Sequence, residues 1–290
     1  MKKNVTLILS GGGARGLAHI GVIEELESRG YVINSIAGTS MGALVGGVHA
    51  AGKLNEFREW MLTLDKQRIL RLIDFSFSSQ GLIKGDRILK TMKKFVPDAR
   101  IEELPVKYTA TAFDIAQNKE IVFSEGNLYH AIRASISIPT VFTPVISGNS
   151  VLVDGGVVNN IPIRNAIRTE NDLMVASYVN ADIPVLLPYL PAKEKNRRKE
   201  HYEKWLKEAR LHIFPGSQKN EEKKLTYFNL ITNTIASASN HLSKMIMQND
   251  PPDVLIEISR HSAGTYDYFK AEELIEIGKY SAKIKLDSIN

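Results

Sequence analysis

Residues 38–42 read GTSMG, which places Ser40 two positions from a glycine on either side, Gly38 and Gly42. An apolar run, Ile33 to Ala37, leads into it, and Met41 to Ala51 reads as an Ala- and Gly-rich helix closed by Gly52. A G-x-S-x-G at a strand-to-helix turn is the setting of a nucleophile elbow, where a sharp, strained backbone presents the hydroxyl. Side chains at the flanking positions would collide with the crossing strand or helix, so glycines stand there. The helix that starts at Met41 points its N-terminal dipole at Ser40 and favours negative charge there. The chemistry this suits is acyl transfer through a serine nucleophile. The same five letters also arise by chance in glycine-rich turns; the strand before and the helix after set this instance apart.

A second glycine-rich element, GGGARG, occupies Gly11, Gly12, Gly13, Ala14, Arg15 and Gly16. Gly11, Gly13 and Gly16 spell G-x-G-x-x-G, the dinucleotide fingerprint. That reading requires an acidic residue about 20 residues on to hold a ribose. The second strand ends instead in AGTSMG, and no Walker lysine pattern follows. The alternative is an oxyanion hole, since consecutive glycines let several backbone N–H groups converge on one point. Gly11 to Gly13 lie at the C-terminal end of the first predicted strand, and Ser40 at that of the second. In a parallel sheet these ends share one edge, where sites form.

A serine needs a base. The histidines are His19, His49, His130, His201, His212, His241 and His261, and none stands at a strand end or in a glycine-rich loop. His19 and His49 fall inside the helices that leave the two loops, where packing or surface roles are ordinary. Asp154, in VLVDGGVVNNIPI, directly follows the predicted strand Val151 to Val153 and precedes Gly155 and Gly156. A carboxylate there can approach Ser40 directly; a plain Asp-Gly turn accounts for the same residues.

The elements that would position these groups form a strand, helix, strand, helix series within about fifty residues. Val5 to Leu9, the helix Leu17 to Ser28, Ile33 to Ala37 and the helix after Ser40 predict a parallel sheet covered on both faces. Further helices are expected over Asn55 to Leu64, Asp86 to Phe95 (with Asp86 as N-cap), Thr226 to Gln248 and Ala271 to Lys285. Strands are expected over Val106 to Phe113, Lys119 to Phe123 around an Asn118 turn, Ser150 to Val153, Leu173 to Val179 and Val254 to Ile258. One α/β domain over 1–290 accommodates them all. Residues 181–224 break the pattern with several prolines and KEKNRRKEHYEKWLKEAR, and read as a surface insertion or lid. Tyr202, Trp205, Leu206 and Ala209 give that stretch a narrow apolar stripe beside a basic face. This suits a helix resting on anionic lipid as well as one packed on the body.

The four blocks SGGGARGLAHIGVI, GTSMGALVGG, ASISIPTVFTPV and VDGGVVNNIP together resemble the patatin-like phospholipase family, in the family's order and spanning residues 10 to 162. The resemblance implies a three-layer α/β/α fold with a mostly parallel central sheet. It implies a lipid acyl hydrolase of phospholipase A or lysophospholipase type, working through a Ser–Asp dyad without histidine. Carried to this chain, Ser40 is the nucleophile and Asp154, in the DGG motif with Gly155 and Gly156, is the base. The loop from Gly11 to Gly16, with Arg15, forms the oxyanion hole, to which the Met41 N–H can add. Arg15 either contacts an anionic headgroup or fixes the loop. The substrate implied is a lipid or another acyl ester, with small soluble esters as the alternative and an inactive scaffold disfavoured by the intact motifs.

Composition bounds these readings. The 290 residues contain no cysteine, which excludes disulfides, thiolate nucleophiles and Cys-held metals. No carboxylate cluster suggests calcium, and no cofactor is expected. A net charge of +5 permits an anionic partner without requiring one, and no nucleic-acid motif appears. Lys2 and Lys3 precede an apolar run that is too short for a signal peptide's core of about 7–15 residues. No stretch reaches the ~20 apolar residues of a membrane span. The expectation is a cytoplasmic protein with an option of peripheral contact at the inner membrane face.

Overall fold

A computed structural model of the chain describes residues 3–78, 81–169, 171–187 and 227–289. Most of the 181–224 insertion, with His201, Trp205 and His212, lies outside these described residues.

The chain opens with β1 (Lys3–Leu9), a 3-10 turn (Gly13–Leu17), α1 (Ala18–Ser28), β2 (Tyr31–Thr39) and α2 (Met41–Ala50). Then come α3 (Leu54–Leu62), α4 (Lys66–Leu72), a hairpin of β3 (Phe75–Ser78) and β4 (Gly81–Ile83), and α5 (Asp86–Met92). The middle holds β5 (Lys107–Asp114), β6 (Lys119–Phe123), α6 (Leu128–Ser135), β7 (Val145–Ser147) and β8 (Ser150–Asp154). The last part holds β9 (Leu173–Ala181), α7 (Tyr227–Asn249), β10 (Val254–Ser259) and α8 (Ala271–Asp287).

Eight strands form one sheet in the order β10-β9-β1-β2-β5-β8-β7, with β6 also on β5. The pairs β10–β9, β9–β1, β1–β2 and β2–β5 are parallel; β5–β6, β5–β8 and β7–β8 are antiparallel. The sheet is mostly parallel and its central strands are near-continuous apolar runs, as burial on both faces demands. Alternation along β1 assigns the layers. Val5, Leu7 and Leu9 join a large core with α1, α2, α3, α5, α6 and α8. Ile8 faces the other way, into a smaller core with Ile161, Ile163, Tyr178 and, from α7, Ile246 and Met247. Thr6 shares that second face, where its hydroxyl donates to the buried Asp172 carboxylate at 3.1 Å. Among the described residues no helix is long and apolar enough to cross a membrane.

Two local expectations differ. Gly85, not Asp86, stands at the N-cap of α5, in a left-handed conformation (φ 77°). The Asp74 carboxylate, just ahead of the β3–β4 hairpin, takes the N–H groups of Gly85 and Arg87. A cap supplied from eleven residues before Gly85 makes one at Asp86 redundant. The elements α4, β3, β4 and β7 were not expected either; each is short and gains its structure from neighbours rather than from its own period.

Candidate active site

The strand β5 is what brings the two candidate groups together. Its one edge pairs with β2 as far as Thr39 opposite Thr111, and then with β8, whose Asp154 stands opposite Ala112. Its other edge carries β6. One strand ends where the other ends, from opposite directions, and Ser40 and Asp154 meet at the junction. The Ser40 hydroxyl donates to Asp154 Oδ2 at 2.5 Å, a length typical of O–H to carboxylate bonds.

Ser40 is held at φ 56°, ψ −124°, in the positive-φ region that L-residues rarely adopt. Such strain costs on the order of 1–3 kcal/mol and persists only where the surroundings over-determine it. Here its N–H donates to the Ser135 hydroxyl (2.9 Å), which in turn donates to the Thr111 carbonyl (2.7 Å). Its own carbonyl caps the first turn of α2 through Leu44 N–H. The approach of α2 to the sheet allows no side chain at Gly42, where a Cβ would lie 2.2 Å from the Leu9 carbonyl oxygen.

Asp154 is 5% exposed, as is Ser40. Its Oδ1 accepts the Gly156 N–H at 2.7 Å, in the turn formed by Gly155–Val157. Its own N–H goes to the Ser137 carbonyl. Burial pushes its carboxyl up from the ordinary 3.8 to about 6, against the opposing pull of the bonds from Ser40 and Gly156. A carboxylate so raised is a stronger base than an exposed aspartate and is still mainly ionised at neutral pH.

The glycine-rich loop lies against this pair, and its N–H groups divide into two sets. Gly11 N–H donates to the Asn160 carbonyl at 3.0 Å and Ala14 N–H to the Thr265 carbonyl at 2.8 Å. The N–H groups of Gly12, Gly13 and, across from them, Met41 have no acceptor among the described residues. Gly11 and Ala14 thus moor the loop, while the other three N–H groups are left unbonded among the described residues. Gly13 takes φ 57°, and a Cβ there would lie 2.5 Å from the Thr265 carbonyl oxygen. Arg15 turns away from the loop's own carbonyls. It donates to the carbonyls of Val179 and Ala263 (3.1 Å each) and to Asn180 Oδ1 (2.7 Å). Asn180 Nδ2 donates to the Gly11 carbonyl at 2.7 Å, so Arg15 and Asn180 brace the loop as a unit. Gly16 packs under Met41 and Gly38 under the first turn of α2.

None of the described histidines bonds Ser40. His19 is fully buried, with Nε2 donating to the Ser10 carbonyl (2.8 Å). That fixes its tautomer, and Nδ1 accepts from the Ser177 hydroxyl (2.9 Å). Burial lowers its pKa to about 4, so it packs as a neutral ring. His261 pairs with Asp182 and His130 sits on the Phe123 ring edge.

From Ser40 a cavity of about 360 Å³ opens between α2, α3, α4, α5 and the Ile136–Phe142 segment. Met41, Leu44, Phe57, Trp60, Ile69 and Ile88 are among its walls, and Tyr266 and Tyr268 line it as well. Burial raises the Tyr268 phenol well above its usual range, so it stays protonated. The roles of Ser135, Asn180 and the two tyrosines went unread in the sequence. Ser135 lies in the segment ASISIPTVFTPV, where a serine in a helix carries no local sign of this bond; the others come from strands and loops with no local signal.

The sequence is similar to those of known proteins. A family model described as Patatin-like phospholipase matches residues 7–167. An uncharacterized NTE family protein of Mycobacterium tuberculosis is 33% identical over 98% of this chain and 91% of its own length. Lysophospholipase NTE1 of Candida glabrata is 32% identical over 55% of this chain, which is 9% of that longer protein.

Proposed function

The chain belongs to the patatin-like phospholipase family, and from that premise we propose that it hydrolyses carboxylic esters of lipids through Ser40 and Asp154. Family membership supports a lipid hydrolase in general. The observation that carries the finer reading is the 2.5 Å Ser40–Asp154 bond at the end of a cavity walled by apolar side chains. Such a cavity suits a hydrocarbon chain and gives a small polar ester nothing to bind.

In this reading an acyl chain lies in the cavity with its ester carbonyl over Ser40. Asp154 Oδ2 takes the hydroxyl proton as Oγ bonds to the carbonyl carbon. The oxygen that becomes negative is met by the N–H groups of Gly12, Gly13 and Met41, aided by the dipole of α2. The C–O bond to the leaving alcohol breaks, and the proton on Asp154 passes to that oxygen. Water then adds to the acyl-enzyme, giving its proton to Asp154, and collapse releases the acid and returns the proton to Ser40. Each hole donor contributes about 3–4 kcal/mol. Arg15 acts through Asn180 as a positioning residue, which is the loop-fixing role of the two the sequence left open.

The test is fatty-acid release, followed by mass spectrometry, from a panel of lysophospholipids and diacyl phospholipids, beside hydrolysis of p-nitrophenyl butyrate. Turnover of the lipids at rates well above the butyrate supports the proposal. Turnover of the butyrate alone assigns a small-ester esterase instead.

A further inference from the structure

The charge of this chain is unevenly placed. Residues 66–94, which make α4, the β3–β4 hairpin and α5, hold eight Lys and Arg against two Asp, a surplus of six in a chain whose total is +5. On α5, Arg87 and Lys90 stand one turn apart and are exposed, with exposed Lys94 just past the helix end; on α4, Arg68 and Arg71 also stand one turn apart and are exposed. Arg87 donates to the Arg71 carbonyl at 2.7 Å, which sets the two cationic rows side by side. None of these five side chains makes an ion pair among the described residues. Between Arg68 and Arg71 stands Leu70, an apolar side chain 63% exposed.

The inner side of the same two helices is the cavity wall, through Ile69, Leu72 and Ile88. A second, open hollow of about 400 Å³ is bordered by Lys90, Lys93, His130 and Arg133 with one acid, Asp86. The Arg133 guanidinium lies over the Phe142 ring, 5.9 Å from its centre, and Phe142 also lines the cavity.

We propose that the outer face of α4 and α5 is where this protein rests on a negatively charged bilayer, with Leu70 dipping among the headgroups and the cations over the phosphates. The charge complements an anionic surface. A soluble acidic partner would explain the cations but not an exposed leucine among them on helices whose other side lines the cavity. The role of the face in feeding the cavity rests on the lipid-hydrolase reading; the binding itself does not, and is measured separately.

The experiment is co-sedimentation of the full chain carrying Ser40→Ala, to prevent turnover, with vesicles of phosphatidylcholine alone or with about a third phosphatidylglycerol. The expected result is binding at least about tenfold tighter to the anionic vesicles, weakening as salt is raised and the Debye length shrinks. Arg68→Glu, Arg71→Glu, Arg87→Glu and Lys90→Glu together should weaken it by about 100-fold or more, each cation near the surface counting for roughly fivefold. In the Ser40 background the same four changes should leave p-nitrophenyl butyrate hydrolysis within about twofold, since none lines the cavity. Should the charge-reversed chain fail to fold, Leu70→Ser with Arg71→Gln supplies the test, with an expected loss of about tenfold. Undiminished binding by either variant overturns the proposal and moves the contact to another segment, residues 193–210 first. Binding to a short DNA duplex as tight as to the anionic vesicles overturns it as well. Because binding is read without turnover, a failed lipid assay leaves this result standing, and the converse also holds.

Discussion

At the Ser40 end of the cavity the backbone sets the geometry, and apart from the N–H groups of Gly12, Gly13 and Met41 the polar atoms around the pair are bonded within the protein. The hydroxyl, its N–H, both Asp154 oxygens and the loop moorings at Gly11 and Ala14 are all accounted for. The wall made by α4 and α5 is the opposite: apolar side chains inward, the cations Arg68, Arg71, Arg87 and Lys90 outward with no ion pair among the described residues, and an N-cap for α5 borrowed from Asp74. The first region fixes angles and protonation states; the second offers volume and charge. Changes in the first should alter the rate of bond breaking, and changes in the second should alter which molecule is bound and where.

The sharpest way to break that division is Ser40→Ala or Asp154→Asn. Each should lower kcat by about four to six orders of magnitude with the fold intact, since members of one catalytic unit fail together. Next is Gly12→Ala combined with Val179→Ala, the second change removing the methyl that lies 2.3 Å from the new Cβ. Steady-state kinetics should show kcat down by about 10²–10³ with KM within a few-fold, because the oxyanion exists only in the transition state. A change confined to KM would turn the loop into a ground-state binding element.

The raised Asp154 carboxyl gives two linked effects of intermediate size. The base must be ionised, so kcat/KM should climb as pH rises through about 6 and level off above it. For stability the sign is reversed. A carboxyl whose folded pKa exceeds its unfolded value favours the fold below the unfolded pKa, and that benefit is lost as pH rises through about 6. Asp154→Asn should therefore gain on the parent chain by about 2–3 kcal/mol between pH 4 and pH 8 in urea melts. The smallest effect belongs to the other region. Ile88→Trp, which fills part of the cavity, should cut hydrolysis of long-chain p-nitrophenyl esters by about tenfold and leave the butyrate ester nearly unchanged. Equal loss on both would mean that this wall, too, sets the chemistry.

Those two regions also differ in how far the sequence disclosed them. The elbow at Ser40 and the glycines of the first loop carry their constraints locally, in the alternation of strand, glycine and helix. The central strands and long helices were readable to within a few residues for the same reason. What Asp154 does depends on β5 offering one edge to two strands in turn, a fact of pairing that no local pattern encodes, and its assignment came through the resemblance. Likewise Asn180, Tyr266 and Tyr268 reach the site only because β9 lies beside β1 and the loop after β10 lies against the glycine loop. In α4 and the β3–β4 hairpin the elements are too short for a period to show, and the cap at Gly85 is supplied across a turn. Residues 193–210, the expected interfacial helix, lie outside the described residues.

The central claim, that Ser40 is an activated nucleophile with Asp154 as its base, is tested most directly by covalent trapping. The protein is incubated with a long-chain fluorophosphonate, digested, and the adduct located by peptide mass spectrometry. The account predicts a single adduct on the peptide containing Ser40, formed at least about 100-fold more slowly in Asp154→Asn and absent in Ser40→Ala. An adduct on another residue, or labelling of Ser40 that proceeds at the parent rate without Asp154, would contradict it.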